Sequence, residues 1–252
     1  MMEIFEENRE RILTGFALLG AVLLIGLIDN FFVMWLVLGA VYILAFKEAM
    51  MLFGIEDETL YLYGLGIWLV AGIYPYGDDL FILAGVVYAG AVAYNRDLEW
   101  KSFLPFLYPT AGMLFILTMD QEYGVASLLW LLVVVAMTDV GAYAFGKSMG
   151  KTQFCETSPN KTLEGVFGGI AVATASGMFI GLLVVDLITA FVISALVAGF
   201  SIFGDLFESS LKRDADVKDS GDILPGHGGV LDRIDGYLFG GIVMLVLLRG
   251  LV

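Results

Sequence analysis

The sequence has very little cysteine and histidine. Its 252 residues contain one of each, Cys155 and His227. A single cysteine excludes a disulfide bond within the chain. The same scarcity excludes a structural zinc site, because such sites use about four cysteine and histidine ligands.

Charged residues are also scarce: they make up 16% of the chain, whereas 59% of the residues are hydrophobic and the mean hydropathy is +0.87. A soluble domain typically has about 25% charged and about 45–50% apolar residues. The excess apolar surface therefore needs lipid as its solvent. We predict a single membrane domain with no soluble domain, and the lipid bilayer as a partner.

Basic residues are too few for a nucleic-acid-binding protein. The chain has 13 Lys and Arg against 27 Asp and Glu, which gives a formal net charge of −14. Nucleic-acid-binding proteins instead show clustered basic charge. No nucleic-acid partner is predicted, and the acidic clusters in loops are interpreted as solvated surface.

Long apolar runs follow one another along the chain. A membrane-spanning helix needs ~20 mostly apolar residues, and these runs do not alternate like the strands of a barrel. Lipid also requires backbone hydrogen bonds to be made inside the segment. We therefore predict an all-α, polytopic integral membrane bundle of about nine helices, at 12–28, 31–46, 59–75, 80–94, 103–119, 125–146, 165–185, 187–211 and 230–250.

The basic residues predict the orientation of the bundle. With the N-terminus in the cytosol, twelve of the thirteen Lys and Arg fall on the cytosolic side and only Arg249 lies outside, as the positive-inside rule favours. An N-terminal group of about five helices (1–123) then precedes a C-terminal half (124–252) with two cytosolic loops, 146–164 and 212–229. The predicted location is the cell (inner or plasma) membrane.

Acidic residues interrupt two of the apolar runs. Asp139 lies inside the sixth run, where a charge is costly unless it faces protein, water or an ion. Asp205, Glu208, Ser209 and Lys212 follow at offsets of 0, 3, 4 and 7, so they share one stripe of a helix. A packing acid and an ordinary helical ion pair are the structural alternatives.

Two more acids, Asp232 and Asp235, begin the last run and share a helix face. Carboxylates that converge from different helices are suitable ligands for Mg²⁺ with phosphate oxygens. His227, in a glycine-rich turn, has a site role or a structural one. Basic residues near these acids could bind phosphates or act only as topology signals: Lys151, Lys161, Lys212, Arg213, Lys218 and Arg233.

This combination of residue types predicts phosphoryl or nucleotidyl transfer, a chemistry that depends mainly on positioning and charge neutralisation. The sequence contains neither a GxxxxGK[ST] loop nor a GxGxxG fingerprint, so any nucleotide is bound in another way.

One stretch resembles the signature of the phosphatidate cytidylyltransferases, also called CDP-diacylglycerol synthases. It reads Ser209-x-Leu-Lys-Arg213, then Lys218-Asp219, then Pro225-x-His227-Gly-Gly229-x-x-Asp232-Arg233-x-Asp235. The segments 139–143, 146–151 and 158–165 agree with it. The resemblance covers the C-terminal half strongly and the N-terminal half only through its hydrophobicity. Val140 and Leu163 depart from the Thr and Trp of many relatives, which leaves substrate detail open.

The resemblance implies an activity: CTP and phosphatidic acid give CDP-diacylglycerol and pyrophosphate. It also implies Mg²⁺ dependence, with room for a second cation such as a monovalent one, and a homodimer whose site opens to the cytosol. By motif position, Asp205 and Asp232 are the implied main metal ligands, with Asp139 and Asp235 as further ones. The implied phosphate contacts are Lys161, Lys212, Arg213, Lys218 and Arg233, and the residues implied to shape the site are Ser209 and His227.

Two other functions are weighed against this one. A related CTP-dependent membrane enzyme could act on another lipid, such as an archaeal ether lipid or a polyprenol. An ion-coupled transporter would have acids spread through the depth of the membrane and broken helices near its midplane. The acids and bases here gather at one face instead.

Overall fold

A computed structural model describes residues 20–21, 24–224 and 228–252. Within these ranges the chain is helical, with two isolated bridges as its only extended pairing, and the predicted all-α class is confirmed. His227 lies outside the described residues. The helices are α1 (Phe31–Leu52), α2 (Thr59–Ala71), α3 (Asp79–Tyr94), α4 (Ala111–Tyr123), α5 (Val125–Met149), α6 (Leu163–Gly181), α7 (Leu187–Asp214) and α8 (Leu231–Leu251).

Six helical segments are long and apolar enough to cross a membrane: Phe31–Leu52, Trp100–Tyr123, Val125–Met149, Leu163–Gly181, Leu187–Asp214 and Leu231–Leu251. The apolar helices α2 and α3 are shorter, at 13 and 16 residues. Eight of the nine predicted runs coincide with helical segments. Most of the first run, 12–28, lies outside the described residues, so the count of nine and the cytosolic N-terminus stay predictions.

Several helix ends differ from the predicted ones. Helix α2 ends at Ala71 rather than near residue 75, and α6 ends at Gly181 rather than near 185. In both places apolar residues continue into a turn, so hydropathy alone overestimates the helix. Helix α7 instead extends three residues beyond its predicted end, to Asp214, because its polar last turn continues the helix past the apolar run.

The fifth predicted run, 103–119, is not one continuous α-helix. Tyr108 has extended backbone (φ −145°, ψ 114°) within the short π-helical turn, Phe106–Thr110, that precedes α4. A residue that precedes proline disfavours the helical region, and Pro109 follows here. The break places the Tyr108 ring against Phe207 and Phe239, at centroid distances of 5.0 and 6.2 Å.

Helices α5 and α6 pack closely because glycines line their contact. A Cβ atom at Gly141 would lie 2.9 Å from the Cα atom of Gly169, and one at Gly169 would lie 2.7 Å from the Thr138 carbonyl oxygen. Small residues allow helix backbones to approach in this way. The paired helices hold the loop between them, residues 150–162, at one end of the bundle.

The opposite end of the bundle contains an ion-pair cluster around Arg249. The guanidinium donates to Asp78 at 2.6 and 3.1 Å and to Glu122 at 2.9 and 2.5 Å. Arg249 lies in the last turn of α8, which is about 30 Å long. Arg249, the one basic residue predicted to lie outside, therefore meets two acids at one end of the bundle, far from the first turn of α8.

Asp186 caps the N-terminus of α7 at that same end. Its carboxylate accepts from the Ile188 and Thr189 amides at 2.9 and 3.2 Å, and from the Thr189 hydroxyl at 2.6 Å. The hydrogen bond from the Thr189 hydroxyl, and after it those from the two amides, hold the pKa of the Asp186 carboxyl below its ordinary value. The cap fixes where α7 begins, and thereby which residues its far end presents.

Candidate active site

The C-terminal part of α7 presents a polar stripe, as its spacing predicts. The Ser209 hydroxyl donates to Asp205 Oδ1 at 3.3 Å, and Lys212 Nζ donates to Glu208 Oε2 at 3.0 Å. Both contacts join residues four apart, which face the same side of a helix. The stripe is partly ordered by its own internal hydrogen bonds.

Asp232, in the first turn of α8, is held by the loop that precedes it. Its Oδ2 atom accepts from the Ser220 amide at 2.8 Å, the Ser220 hydroxyl at 2.9 Å and the Gly229 amide at 2.9 Å. Its Oδ1 atom accepts from Lys212 at 2.5 Å. The Asp232 side chain is 5% exposed, so four donated hydrogen bonds compensate the burial of its charge.

The loop between α5 and α6 contributes Lys161, whose ammonium group pairs with the Asp205 carboxylate. The loop is shaped by Glu164, which accepts from the Lys151 and Thr152 amides at 3.1 and 3.2 Å and from the Thr152 hydroxyl at 2.9 Å. A bridge between Gln153 and Thr162 closes the loop. Lys161 thus reaches α7 from a short, internally bonded loop.

The acids of the stripe, Lys212 and Asp232 line one polar cavity of about 540 Å³. Helices α5, α7 and α8 and the loop before α8 all contribute to its wall. The acids that line it are Asp139, Asp205, Glu208, Asp219, Asp232 and Asp235, and the bases are Lys212 and Arg233.

The donor set of this cavity fits a hard divalent cation. Carboxylate oxygens are the ligands that Mg²⁺ prefers, and in the described part of the chain the acids lining the cavity outnumber the bases. Glu208 Oε1 and the Tyr108 hydroxyl are buried and have no hydrogen-bond partner among the described residues. Among the described residues no three acids are gathered as a ligand set. Asp205 and Asp232 are instead paired with Lys161 and Lys212.

The structure brings together most of the predicted site residues. The cavity wall includes Asp139, Asp205, Lys212, Asp232, Arg233 and Asp235, and Lys161 and Ser209 contact Asp205. Three predicted basic residues are exposed and lie outside the lining: Lys151, Arg213 and Lys218.

Some residues at the site were not predicted. Glu208 belongs to the predicted stripe and Asp219 to the signature, but neither was assigned a role. Ser220 gave no signal beyond its position beside that signature. Glu48 in α1 is 0% exposed and hydrogen-bonds the start of α8. The sequence did carry one signal for Glu48, a charge in an apolar segment. Glu48 follows Lys47 directly after the predicted helix end at residue 46.

The family and the individual proteins that this sequence matches agree with one another. Residues 9–251 match the cytidylyltransferase family. The chain is 42% identical to the phosphatidate cytidylyltransferase of Helicobacter pylori (strain J99) over 249 residues, which cover 98% of this chain and 93% of that protein. It is 38% identical to the phosphatidate cytidylyltransferase of Thermotoga maritima over 174 residues, 64% of each chain. The protein of that name from Bacillus subtilis (strain 168) is 48% identical over 123 residues, 47% of this chain and 46% of its own.

Proposed function

Because the chain belongs to the cytidylyltransferase family, we propose that it transfers the cytidylyl group of CTP to phosphatidic acid. The products are CDP-diacylglycerol and pyrophosphate. The observation that carries this proposal is that Asp205 and Asp232, the two principal acids of the resemblance, line one cavity together with basic side chains.

The basic residues that line the cavity or pair with its acids are the proposed phosphate ligands. Lys161 and Lys212 pair with Asp205 and Asp232, and Arg233 lines the same cavity. An incoming triphosphate offers these cations several negative oxygens, which compete with the carboxylates for them. Lys151, Arg213 and Lys218 lie outside the lining, and we assign them the attraction of anionic substrates to the mouth of the site.

We propose Mg²⁺ as the cofactor, with Asp205 and Asp232 as its main ligands and Asp139 and Asp235 as further ones. These acids come from α5, α7 and α8. When bound, the ion would offset negative charge on the phosphate oxygens. A second, monovalent cation remains compatible with the excess of carboxylates.

The proposed reaction is an in-line displacement. An oxygen of the lipid phosphate forms a bond to the α-phosphorus of CTP, and the bond between that phosphorus and the bridging oxygen to the β-phosphate breaks. A phosphate monoester has its second pKa near 6, so the attacking oxygen is already unprotonated near neutral pH. The chain therefore needs no dedicated general base, and its lysines and Arg233 have the task of orienting the two phosphates.

The membrane setting suits a lipid substrate. Six apolar helices of this chain are long enough to span a bilayer, and the cavity lies at the polar end of three of them. Acyl chains would remain in lipid while the head group enters the cavity. We propose that this end faces the cytosol and that the enzyme works as a homodimer in the cell membrane.

The test is a transfer assay with purified protein, CTP labelled at the α-phosphate and a panel of lipid phosphates. We expect labelled CDP-lipid with phosphatidic acid and an equal amount of pyrophosphate. A labelled product only with an unsaturated ether-lipid phosphate or a polyprenyl phosphate would contradict the substrate assignment. No labelled lipid with any member of the panel would contradict the reaction.

A further inference from the structure

Glu48 connects the N-terminal half of the chain to the candidate active site. It lies near the end of α1 and is fully buried, at 0% exposed. Its Oε1 atom accepts from the Val230 amide at 2.9 Å, and its Oε2 atom accepts from the Leu231 amide at 2.7 Å. A buried carboxylate is thus matched to backbone donors 182 and 183 residues away in sequence.

The contact supplies the acceptor that a valine at the N-cap position cannot provide. The N-cap residue of α8, Val230, makes no side-chain cap hydrogen bond, and the first amides of a helix have no partner within the helix itself. Glu48 supplies the acceptor from α1 instead. Negative charge at a helix N-terminus is also favourable because it opposes the positive end of the helix dipole.

The same carboxylate reaches Asp232 through Ser220. The Ser220 hydroxyl lies 3.0 Å from Glu48 Oε2 and 2.9 Å from Asp232 Oδ2. A serine hydroxyl has one proton to donate, so the two carboxylates share it. The Ser220 amide meanwhile donates to Asp232, and the loop and the first turn of α8 are thereby tied to one side chain of α1.

Two glycines leave the space that Glu48 occupies. A Cβ atom at Gly221 would lie 2.6 Å from Glu48 Oε1, and one at Gly229 would lie 2.7 Å from Glu48 Oε2 and 2.1 Å from Ser220 Oγ. Real Cβ atoms do not approach other heavy atoms so closely. Glycine at position 229 therefore keeps this space open, since a Cβ atom there would also lie 2.7 Å from the Gly221 backbone nitrogen.

We infer that Glu48 is a positioning residue for the transfer reaction: it fixes the first turn of α8 and, through Ser220, the orientation of Asp232. This inference rests on the proposed function, in which Asp232 acts at the reaction centre. It assigns a role in the active site to the N-terminal half of the chain, which the family resemblance covers only through its hydrophobicity.

The test uses Glu48→Gln in the full-length protein. Glutamine keeps the size of the side chain but has only one acceptor oxygen. Its NH₂ group would therefore face a backbone N–H, and two donors cannot form a hydrogen bond with each other. We expect kcat to fall about 10- to 100-fold, as for other residues that orient an active-site group, with KM for CTP within about twofold of wild type. We also expect faster hydrogen exchange in peptides covering 218–232 and unchanged exchange in α5.

A double-variant cycle tests the route through Ser220. If Glu48 acts on Asp232 through this hydroxyl, Ser220→Ala should add little to Glu48→Gln, because coupled residues are not additive. Ser194→Ala is the matched control. In the wild-type protein the buried Trp130 indole N–H donates to the Ser194 hydroxyl at 2.9 Å, and the substitution removes this acceptor. We expect Ser194→Ala to lower the melting temperature while its kcat stays at the wild-type value.

Three results would overturn the inference: a wild-type kcat in Glu48→Gln, fully additive losses in the double variant, or an equal loss of kcat in Ser194→Ala. Failure of the proposed function is recognised separately, because wild-type protein would then form no CDP-lipid. The exchange measurement still tests the anchoring of α8 in that case, and unchanged exchange in 218–232 would contradict it.

Discussion

Lys212 Nζ lies 2.5 Å from Asp232 Oδ1 and joins the C-terminal end of α7 to the first turn of α8. The same ammonium group lies 3.0 Å from Glu208 Oε2. Its side chain is 14% exposed, and those of Glu208 and Asp232 are 1% and 5% exposed. One cation thus compensates two buried carboxylates, so Lys212 has a structural task in addition to the proposed contact with phosphate.

Replacing Lys212 should therefore reduce both stability and activity. Lys212→Met leaves Asp232 and Glu208 buried without this cation, and loss of one partner from a buried pair costs about 3 kcal/mol. We expect a lower melting temperature in detergent and little CDP-lipid formation. Lys212→Arg keeps the charge but presents a planar group, so it should recover stability more than activity. A wild-type melting temperature for Lys212→Met would contradict the structural task.

Asp205→Asn and Asp232→Asn should each remove activity while the protein stays folded. Both changes keep the shape of the side chain but remove its negative charge, and we expect losses of at least about 100-fold in kcat. The measurement is the labelled-CTP assay, with gel filtration and helical circular dichroism as checks of folding. Asp97→Asn, at an exposed acid outside the cavity lining, is the control and should retain full activity. Near-normal activity of either site variant would exclude that acid from the reaction centre.

The proposed cofactor leads to a prediction about metal removal. We expect EDTA to stop CDP-lipid formation and added Mg²⁺ to restore it, because the carboxylates of the cavity are oxygen ligands of the kind that Mg²⁺ prefers. The assay is run on wild-type protein with chelator in excess over total divalent cation. Turnover that continues in the chelator would contradict metal assistance.

The polar stripe of α7 could be predicted because its signal is local. Asp205, Glu208, Ser209 and Lys212 recur at helical spacing within eight residues, and the structure places them on one face. The gathering of Asp139 and Asp235 in the same cavity also followed from a chemical argument, since isolated charges in an apolar helix must find a partner or water.

The contribution of Glu48 could not be predicted in the same way. Val230 and Leu231 contact it only through their backbone amides. Every residue except proline has a backbone amide, so the sequence does not indicate which ones Glu48 binds. Helix ends were predicted poorly for a related reason: hydropathy reports transfer to lipid, not where backbone hydrogen bonding stops. The break at Tyr108 did have a signal, because Pro109 follows it.

The Arg249 cluster should matter for stability and not for catalysis. Arg249 donates to Asp78 and Glu122 at the end of α8 that is remote from the cavity. Arg249→Met leaves the buried Asp78 carboxylate without this partner, which we expect to cost about 2 kcal/mol. The melting temperature should fall while kcat per folded molecule is unchanged. A matching loss of kcat would show that the two ends of α8 are coupled.

Two glycines of α7, Gly204 and Gly199, differ in how closely another helix approaches them. A Cβ atom at Gly204 would lie 2.4 Å from the Asp235 carbonyl oxygen, whereas one at Gly199 would meet no atom of the described residues within 4 Å. Alanine favours a helix over glycine by about 1 kcal/mol at either position, so intrinsic propensity alone makes both changes stabilising. At Gly204 the obstacle is backbone, which cannot rotate away, so α8 must shift from α7.

We therefore expect Gly204→Ala to lower the melting temperature and to reduce kcat, because it separates Asp205 on α7 from Asp235 on α8. Gly199→Ala should keep wild-type kcat and an equal or higher melting temperature. Both variants are measured in the same detergent by thermal unfolding and by the labelled-CTP assay. Equal behaviour of the two variants would contradict the close packing of these helices, and with it the convergence of acids from α7 and α8 on one cavity.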